Sequence, residues 1–222
     1  MTPRNRPLTP GTPAVLPRIY PIVDSSAWVH RLLPLGVRLI QLRIKAQPPE
    51  TIRSEIRESK ALCSHWHAQL VVNDYWQLAL EEQCDFVHLG QGDLQDADVP
   101  ALRRADVRIG ISTHDHAELG RALAYSPDYV ALGPIYPTLL KVMPWSPQGL
   151  EKITEWKRHI GSTPLVAIGG LTVARLPGVF AHGADVAAVV TDIVKSAEPE
   201  ARMREWLDAG ESVTMAAGRQ SP

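Results

Sequence analysis

Short apolar runs recur along the chain, and more polar segments with a helical pattern separate them. Each run is nearly continuous in hydrophobicity, which is typical of a parallel strand that is covered on both faces. The eight runs are Ile19–Val23, Leu39–Leu42, Leu70–Val72, Phe86–Leu89, Arg108–Ser112, Tyr129–Leu132, Leu165–Ile168 and Val186–Val190. The sequence therefore predicts eight buried parallel strands.

The segments between these runs predict helices. The clearest is Thr51–Trp66, where Ile52, Ile56 and Cys63 fall along one stripe and charged residues occupy the rest. Weaker helical patterns cover Asp115–Ala124 and Gln148–Ile160, and Asp115 and Thr172 suit helix N-caps.

Eight strand–helix units with short connections predict an α/β fold, a single-domain TIM (β/α)8 barrel. An open doubly wound sheet is the alternative, but the Gly169-Gly170 pair is not the GxGxxG of a dinucleotide fold. Residues 1–17 contain five prolines and predict a disordered leader. We expect the barrel to span residues 18–209 and a flexible tail to span 210–222.

The composition argues against nucleic acid and anionic membranes as partners. The chain has 222 residues, a formal net charge of −1 and 21% charged residues, so it offers no strong field for nucleic acid or an anionic membrane. No apolar run approaches the roughly 18 residues of a membrane span. Cys63 and Cys84 form no CxxC pair, which favours reduced thiols in a cytoplasmic protein.

Acidic and basic residues follow several predicted strands. Asp74 and Asp93 each come just after a strand, and Arg43 and Lys45 follow another. In a barrel the strand ends share one rim, where the active site lies. Singly, each acid suits a turn or a helix cap. Together they predict a magnesium site beside cations that bind phosphate, as in an enzyme acting on a phosphorylated or pyrophosphorylated compound.

Two loops add candidates at the same rim. Gly169-Gly170 closes the seventh strand, and barrel enzymes often bind phosphate on the loops after strands seven and eight. The long connection after the sixth strand contains Thr138 and Lys141, which we expect to clamp substrate from a lid. His114 and His116 fit capping and solvation better than a metal pair, and His88 fits a hydrogen-bonded core residue.

A set of motifs in one order resembles the thiamine phosphate synthase family, from about Ile19 to Ile193. The motifs that carry the resemblance are Gln41-Leu42-Arg43-Ile44-Lys45, Val72-Asn73-Asp74, Val87-His88-Leu89-Gly90-Gln91-Gly92-Asp93, Ile111-Ser112-Thr113-His114, Gly133-Pro134-Ile135-Tyr136-Pro137-Thr138, Ala167-Ile168-Gly169-Gly170 and Val189-Val190. Any one of them is weak, and their order and spacing together are specific.

The resemblance implies a transferase of thiamine biosynthesis that joins hydroxymethylpyrimidine pyrophosphate to thiazole phosphate and releases pyrophosphate with Mg2+. It implies small-molecule substrates as partners and allows a homodimer. It assigns the metal to Asp74 and Asp93, and the catalytic roles to Arg43, Lys45, Ser112 and Lys141. The substrate-binding residues that it implies are Gln41, Arg43, Lys45, Asn73, Ser112, Thr138, Lys141, Gly170, Val190 and Thr191.

Two departures from the family pattern leave alternatives open. Ile44 stands where the family has an acid, and Leu140 stands where it has a hydroxyl residue. Ile44 should point away from its neighbours on an extended segment, whereas Leu140 removes one contact with phosphate. A thiazole tautomerase and a barrel that only binds a thiamine precursor are the rival interpretations.

Overall fold

The computed structural model describes residues 16–138 and 146–218. Eight parallel strands pair in chain order and close into a barrel, with β8 beside β1. The strands are β1 Ile19–Val23, β2 Leu39–Leu42, β3 Gln69–Asn73, β4 Phe86–Leu89, β5 Arg108–Thr113, β6 Tyr129–Leu132, β7 Leu165–Ala167 and β8 Val186–Val189. The predicted barrel is confirmed, and the closure excludes an open sheet.

Helices surround the barrel and connect its strands. They are α1 Ser26–Leu32, α2 Pro49–His65, α3 Trp76–Glu81, α4 Gln91–Asp96, α5 Val99–Arg104, α6 His116–Ala124, α7 Gly149–Ile160, α8 Leu176–Ala181, α9 Thr191–Val194 and α10 Pro199–Gly218. Short 3-10 turns cover Leu33–Leu35 and Val173–Arg175. Among the described residues, none of these helices is long and apolar enough to cross a bilayer.

Alternation along the strands separates two buried regions. One set of side chains points into the barrel and includes Tyr20, Phe86 and Tyr129. The residues between them point outward and pack beneath the helices, among them Val87 and Val130. Successive side chains of a strand face opposite ways, so a continuous apolar run serves both regions.

The barrel interior has room for the Tyr129 ring because β5 has a glycine beside it. Gly110 is the register partner of Tyr129, and a Cβ at Gly110 would overlap that ring. The Tyr129 ring also meets the edge of Tyr20, with the two centroids 6.1 Å apart. These aromatic rings close the barrel below its carboxyl-terminal mouth, and they form the floor of any site there.

The structure confirms one of the two predicted helix N-caps. Asp115 caps α6, and its carboxylate accepts a hydrogen bond from the Glu118 amide at 2.8 Å. Thr172 precedes a 3-10 turn and makes no side-chain capping bond. Helix α10 continues to Gly218, past the predicted end of the barrel at residue 209. The leader lies outside the described residues except for its last two positions.

Candidate active site

A cavity of about 640 Å³ opens at the carboxyl-terminal mouth of the barrel. Ten residues that the sequence singled out line it: Gln41, Arg43, Lys45, Asn73, Asp74, Asp93, Ser112, Thr138, Val190 and Thr191. They come from loops or strand ends far apart in the chain, and the closed barrel brings them to one place. Lys141 lies outside the described residues, as do Leu140 and the rest of positions 139–145.

Asp74 and Asp93 both line this cavity, and their carboxyl groups interact directly. Asp74 directly follows β3 and has φ +64, and its amide donates to the His88 carbonyl at 2.9 Å. Asp93 lies in the first turn of α4. Burial, together with the charge and the hydrogen bond of Asp74, raises the pKa of Asp93. Two carboxylates held this close repel each other unless a proton or a cation lies between them.

The donor set suits a hard divalent cation that takes further ligands from water and substrate. Across residues 16–138 and 146–218 no group of three or more histidine, cysteine or acidic side chains forms a metal site. Mg2+ does not need such a cage, because it keeps several waters and is usually held by one or two carboxylates plus substrate phosphate. Asp74 and Asp93 therefore fit Mg2+ better than zinc, which takes three or four protein ligands.

Two cations lie beside the acids on the segment that follows β2. Lys45 forms an ion pair with Asp74. The exposed Arg43 guanidinium forms no ion pair or hydrogen bond with any residue that the structure describes, so its fork is available to a phosphate. Ile44, between them, is 4% exposed and packs in the outer layer, as its alternate position predicts. Replacement of the family's acid by Ile44 therefore leaves both cations in the cavity.

A chain of hydrogen bonds crosses the floor of the cavity. The Gln41 side-chain amide donates to the Tyr20 hydroxyl at 2.9 Å, and that oxygen lies 3.1 Å from the Tyr129 hydroxyl. The Tyr129 oxygen lies 2.7 Å from Nδ1 of His88, and Nε2 of His88 lies 2.8 Å from Oγ of Ser112. Five side chains from five strands thus connect the buried floor to a residue at the rim.

Burial sets the protonation of this chain. It lowers the pKa of His88 to about 4 and raises the pKa of both Tyr20 and Tyr129. The imidazole is therefore neutral and both phenols keep their protons near neutral pH. His88 is the hydrogen-bonded interior residue that the sequence indicated.

Asn73 contributes a buried donor without an acceptor. Its side chain is 4% exposed and lines the cavity, and its Nδ2 has no hydrogen-bond partner among the described residues. Buried amide groups are almost always paired, since an unpaired one costs about 1–3 kcal/mol. An acceptor on a bound ligand would complete this amide.

The Gly169-Gly170 turn is built around the loop that follows β6. Both glycines have positive φ, +98 and +64. A Cβ on Gly169 would overlap Pro134, and one on Gly170 would overlap the Pro137 carbonyl. Arg175 donates to the Gly170 carbonyl and stacks over Tyr136 at 4.2 Å. Glycine is thus required here by loop packing, and it is Gly169 that lines the cavity rather than Gly170.

The end of β8, which pairs with β7, adds backbone to the same wall. Val190 and Thr191 line the cavity, and α9 begins at Thr191. The first amides of a helix have no acceptor within the helix, so they face outward as donors. Asp192 anchors this turn to α10, since its carboxylate accepts from Arg202 at 2.9 Å and from Trp206 at 2.7 Å.

The histidines at the start of α6 do not form a metal pair. His114 bonds Glu118 at 2.7 Å, and His116 bonds Glu155 at 2.5 Å. Each imidazole therefore bonds a separate carboxylate, a pairing that the sequence did not predict.

Sequence reasoning missed Tyr20 and Tyr129 as parts of the site. Both look like ordinary core residues inside apolar runs. The available signal was the alternation along each strand: residues at the same alternate positions as Gln41 and His88 point into the barrel, and a polar group there has water or a ligand as its neighbour.

Comparison with known proteins agrees with this geometry. Residues 17–193 match the family model of thiamine monophosphate synthase. A thiamine-phosphate synthase from Rhizobium etli is 58% identical over 190 residues, 86% of this chain and 93% of that protein. One from Klebsiella pneumoniae is 46% identical over 180 residues, 81% of this chain and 85% of that protein.

Solved structures share the fold. The thiamine phosphate pyrophosphorylase from Pyrococcus furiosus superposes with a TM-score of 0.78 at 24% identity, covering 89% of this chain and 96% of its own. A 3-hexulose-6-phosphate synthase superposes with a TM-score of 0.65 at 18% identity, covering 86% of this chain and 99% of its own. At these identities both show the barrel alone. On the profile match and the sequence relatives, the chain belongs to the thiamine monophosphate synthase family.

Proposed function

We propose that this protein condenses 4-amino-2-methyl-5-hydroxymethylpyrimidine pyrophosphate with thiazole phosphate, carboxylated or not, to give thiamine phosphate and pyrophosphate. When the thiazole is carboxylated, its carboxylate leaves as CO2. Membership of the family supports this reaction. The observation that carries it is the meeting of Asp74, Asp93 and the free Arg43 guanidinium in one cavity. That arrangement suits a diphosphate with a bound cation.

Asp74 and Asp93 would hold Mg2+ in this proposal. The raised pKa of Asp93 supports the assignment, because a cation relieves the repulsion that keeps a proton on the pair. When bound, Mg2+ neutralises charge on the diphosphate oxygens and so favours their departure.

The cations of the β2 segment bind the diphosphate. Arg43 offers a planar fork for its oxygens, and Lys45 adds a compact charge while pairing with Asp74. Asn73 and Ser112 line the same cavity, and each would donate a hydrogen bond to the substrate there. Fixed donors and cations of this kind stabilise charge that develops on a leaving group. We assign Thr138 and Lys141, from the connection that follows β6, to the same diphosphate.

No residue needs to remove a proton in the proposed reaction. The bond from the pyrimidine methylene carbon to the diphosphate oxygen breaks first, and its electrons leave with the pyrophosphate. The thiazole nitrogen then attacks the methylene cation with its own lone pair. The protein supplies alignment of the two substrates, which accounts for much of the rate in such reactions. Burial lowers the pKa of His88 to about 4, which makes its imidazole a weak base and agrees with this absence of general-base work.

The thiazole phosphate would bind on the wall formed by the ends of β7 and β8. Gly169, Val190 and Thr191 line the cavity there, and α9 begins at Thr191. Backbone amides at a helix start suit a phosphate. Gly170 would act by holding the loop, because its backbone packs against Pro137.

We also place the protein in the cytoplasm with small-molecule substrates as partners. Cys63 and Cys84 are free and buried, and burial raises the pKa of both thiols, so they are unreactive as in reduced proteins.

The experiment is an assay of pyrophosphate release in which each substrate and Mg2+ are omitted in turn. We expect release only with the pyrimidine pyrophosphate, the thiazole phosphate and Mg2+ together, with thiamine phosphate formed in equal amount. Isomerised thiazole without pyrophosphate would contradict the proposal and indicate a tautomerase. Binding of both substrates in calorimetry without turnover would contradict it in favour of a binding protein.

A further inference from the structure

Apart from Ser112, the hydrogen-bond chain across the barrel floor has no role in the reaction as described so far. We call the five side chains the floor chain: Gln41, Tyr20, Tyr129, His88 and Ser112. Four of them are buried to within 8% exposure, and each neighbouring pair is 2.7–3.1 Å apart. Apolar side chains of similar volume would fill a barrel interior at no cost in polar burial. A continuous polar path that ends at the cavity therefore calls for a reason connected with the site.

The direction of the floor chain follows from its first member. The Gln41 Nε2 group only donates, so the Tyr20 oxygen accepts. Among the described residues the Tyr20 hydroxyl has only Gln41 and Tyr129 as partners, so its proton lies toward the Tyr129 oxygen at 3.1 Å. The Tyr129 proton in turn lies toward Nδ1 of His88, 2.7 Å away. Each hydroxyl accepts one bond and donates the next, so the bonds run one way from Gln41 to His88.

The imidazole passes this direction on to the rim. A neutral histidine has one donor and one acceptor nitrogen. Because Nδ1 accepts from Tyr129, the proton lies on Nε2, which donates to Oγ of Ser112 at 2.8 Å. The Ser112 oxygen thus accepts a hydrogen bond from His88. The Ser112 hydroxyl proton is then available to donate to a group in the cavity.

We propose that the floor chain fixes Ser112 as a hydrogen-bond donor to the departing pyrophosphate, with Tyr129 and His88 as positioning residues. The identity of the acceptor rests on the proposed function. In the opposite direction Ser112 would donate to His88 and present lone pairs to an anion, which is repulsive. The floor chain therefore orients one proton toward the oxygen where negative charge develops, and it transfers none.

The first test reads the direction without any substrate. Histidine is labelled with 15N, and the His88 signals are assigned by their loss in His88→Gln. In the wild-type protein we expect a proton on Nε2 and an unprotonated Nδ1 that accepts a hydrogen bond. In Tyr129→Phe we expect this preference to weaken. A wild-type proton on Nδ1 would overturn the proposal.

The second test is a double-mutant cycle on turnover. In the wild-type background we expect Tyr129→Phe to lower kcat about tenfold, the size of one lost hydrogen bond, with KM changed less than about twofold. In the Ser112→Ala background the same change should have no further effect, because Tyr129 acts through Ser112. An equal loss in both backgrounds would show that the Tyr129 hydroxyl acts independently of Ser112, and would overturn the proposal.

The design includes a matched control and an alternative variant. Tyr125 is 40% exposed on the far side of α6, so Tyr125→Phe should leave kcat unchanged. If Tyr129→Phe does not fold by circular dichroism, Tyr20→Phe replaces it in the cycle, since it interrupts the same chain one step earlier. Should the wild-type protein release no pyrophosphate, the proposed function fails, while the 15N spectra still decide the direction of the floor chain.

Discussion

The barrel interior and the layer beneath the helices are both buried, but their polar groups do different work. In the outer layer buried polar groups such as Thr113 and Glu118 bond nearby elements: Thr113 donates to the Ala131 carbonyl, and Glu118 accepts from the His114 amide. In the interior, His88 bonds Tyr129 and Ser112 and leads to the cavity. The difference teaches that the outer layer holds the fold together, whereas the interior exchanges some stability for a site.

The outer layer should show the largest effect on stability, at Trp156. This side chain is fully buried in α7, and its indole donates to Thr113 at 2.8 Å. We expect Trp156→Ala to lower the free energy of unfolding by about 3–5 kcal/mol, because it opens a large cavity and leaves Thr113 with one partner fewer. Urea unfolding measures the change. Turnover per folded molecule should stay as in the wild type, and a selective loss of turnover would contradict the division between the two regions.

At the mouth of the barrel, replacing Asp93 should lower turnover without lowering stability. We expect Asp93→Asn to lower turnover about a hundredfold, the scale of losing one electrostatic contact to a developing charge. The free energy of unfolding should be unchanged or higher, because the repulsion between Asp93 and Asp74 is removed. Pyrophosphate release across a Mg2+ titration and thermal melting measure the two effects. Asp96→Asn, at an exposed acid on the same helix, is the control, and a parallel fall in melting temperature and activity in Asp93→Asn would mark Asp93 as a structural cap.

His88, in the barrel interior, should make the free energy of unfolding depend on pH. Its pKa is lowered to about 4 in the folded protein, against an ordinary value of 6.5, because of burial. Between pH 6.5 and 4 the unfolded chain takes up a proton that folded His88 does not. The free energy of unfolding therefore falls as the pH is lowered through that window.

His88→Gln tests this acid sensitivity. Its free energy of unfolding should fall less steeply from pH 6.5 to 4 than that of the wild-type protein, as measured by urea unfolding at several pH values. His65→Gln, at an exposed histidine of α2, should keep the wild-type slope. Equal slopes in all three proteins would show that burial does not lower the pKa of His88.

The smallest stability effect is expected at Asn73. Because its buried Nδ2 has no partner among the described residues, Asn73→Leu should leave the free energy of unfolding unchanged or raise it by up to about 1 kcal/mol. Turnover should fall, since the substrate loses a donor. Thermal melting and the pyrophosphate assay measure both. A clear loss of stability would mean that the amide already has a partner, such as ordered water.

Much of the fold could be predicted because its signals are local. Continuous apolar runs marked all eight strands, with ends that differ from the observed ones by at most two residues. The rule that barrel strands end at one rim then placed Asp74, Asp93 and Arg43 together before any distance was known. Their roles in binding stay predictions.

The contacts that could not be predicted depend on the register of the strands and on the closure of the barrel. Tyr20 on β1 and Tyr129 on β6 are 109 residues apart, and only the closed barrel makes their hydroxyls neighbours. Glycine at position 170 pointed to an anion in the sequence, whereas the structure shows a demand from the backbone of the facing loop. Both depend on which segments meet across the mouth, which periodicity along one strand does not encode.

Because Gly110 leaves the space that the Tyr129 ring fills, substitutions at these two positions depend on each other. A relative that acquires a side chain at position 110 must shrink its neighbour at 129, and most smaller residues carry no hydroxyl. Such a lineage would cut the polar path under Ser112 in a single step. Substitutions at the two sites should therefore appear as linked pairs, and drift at one should be constrained by the other.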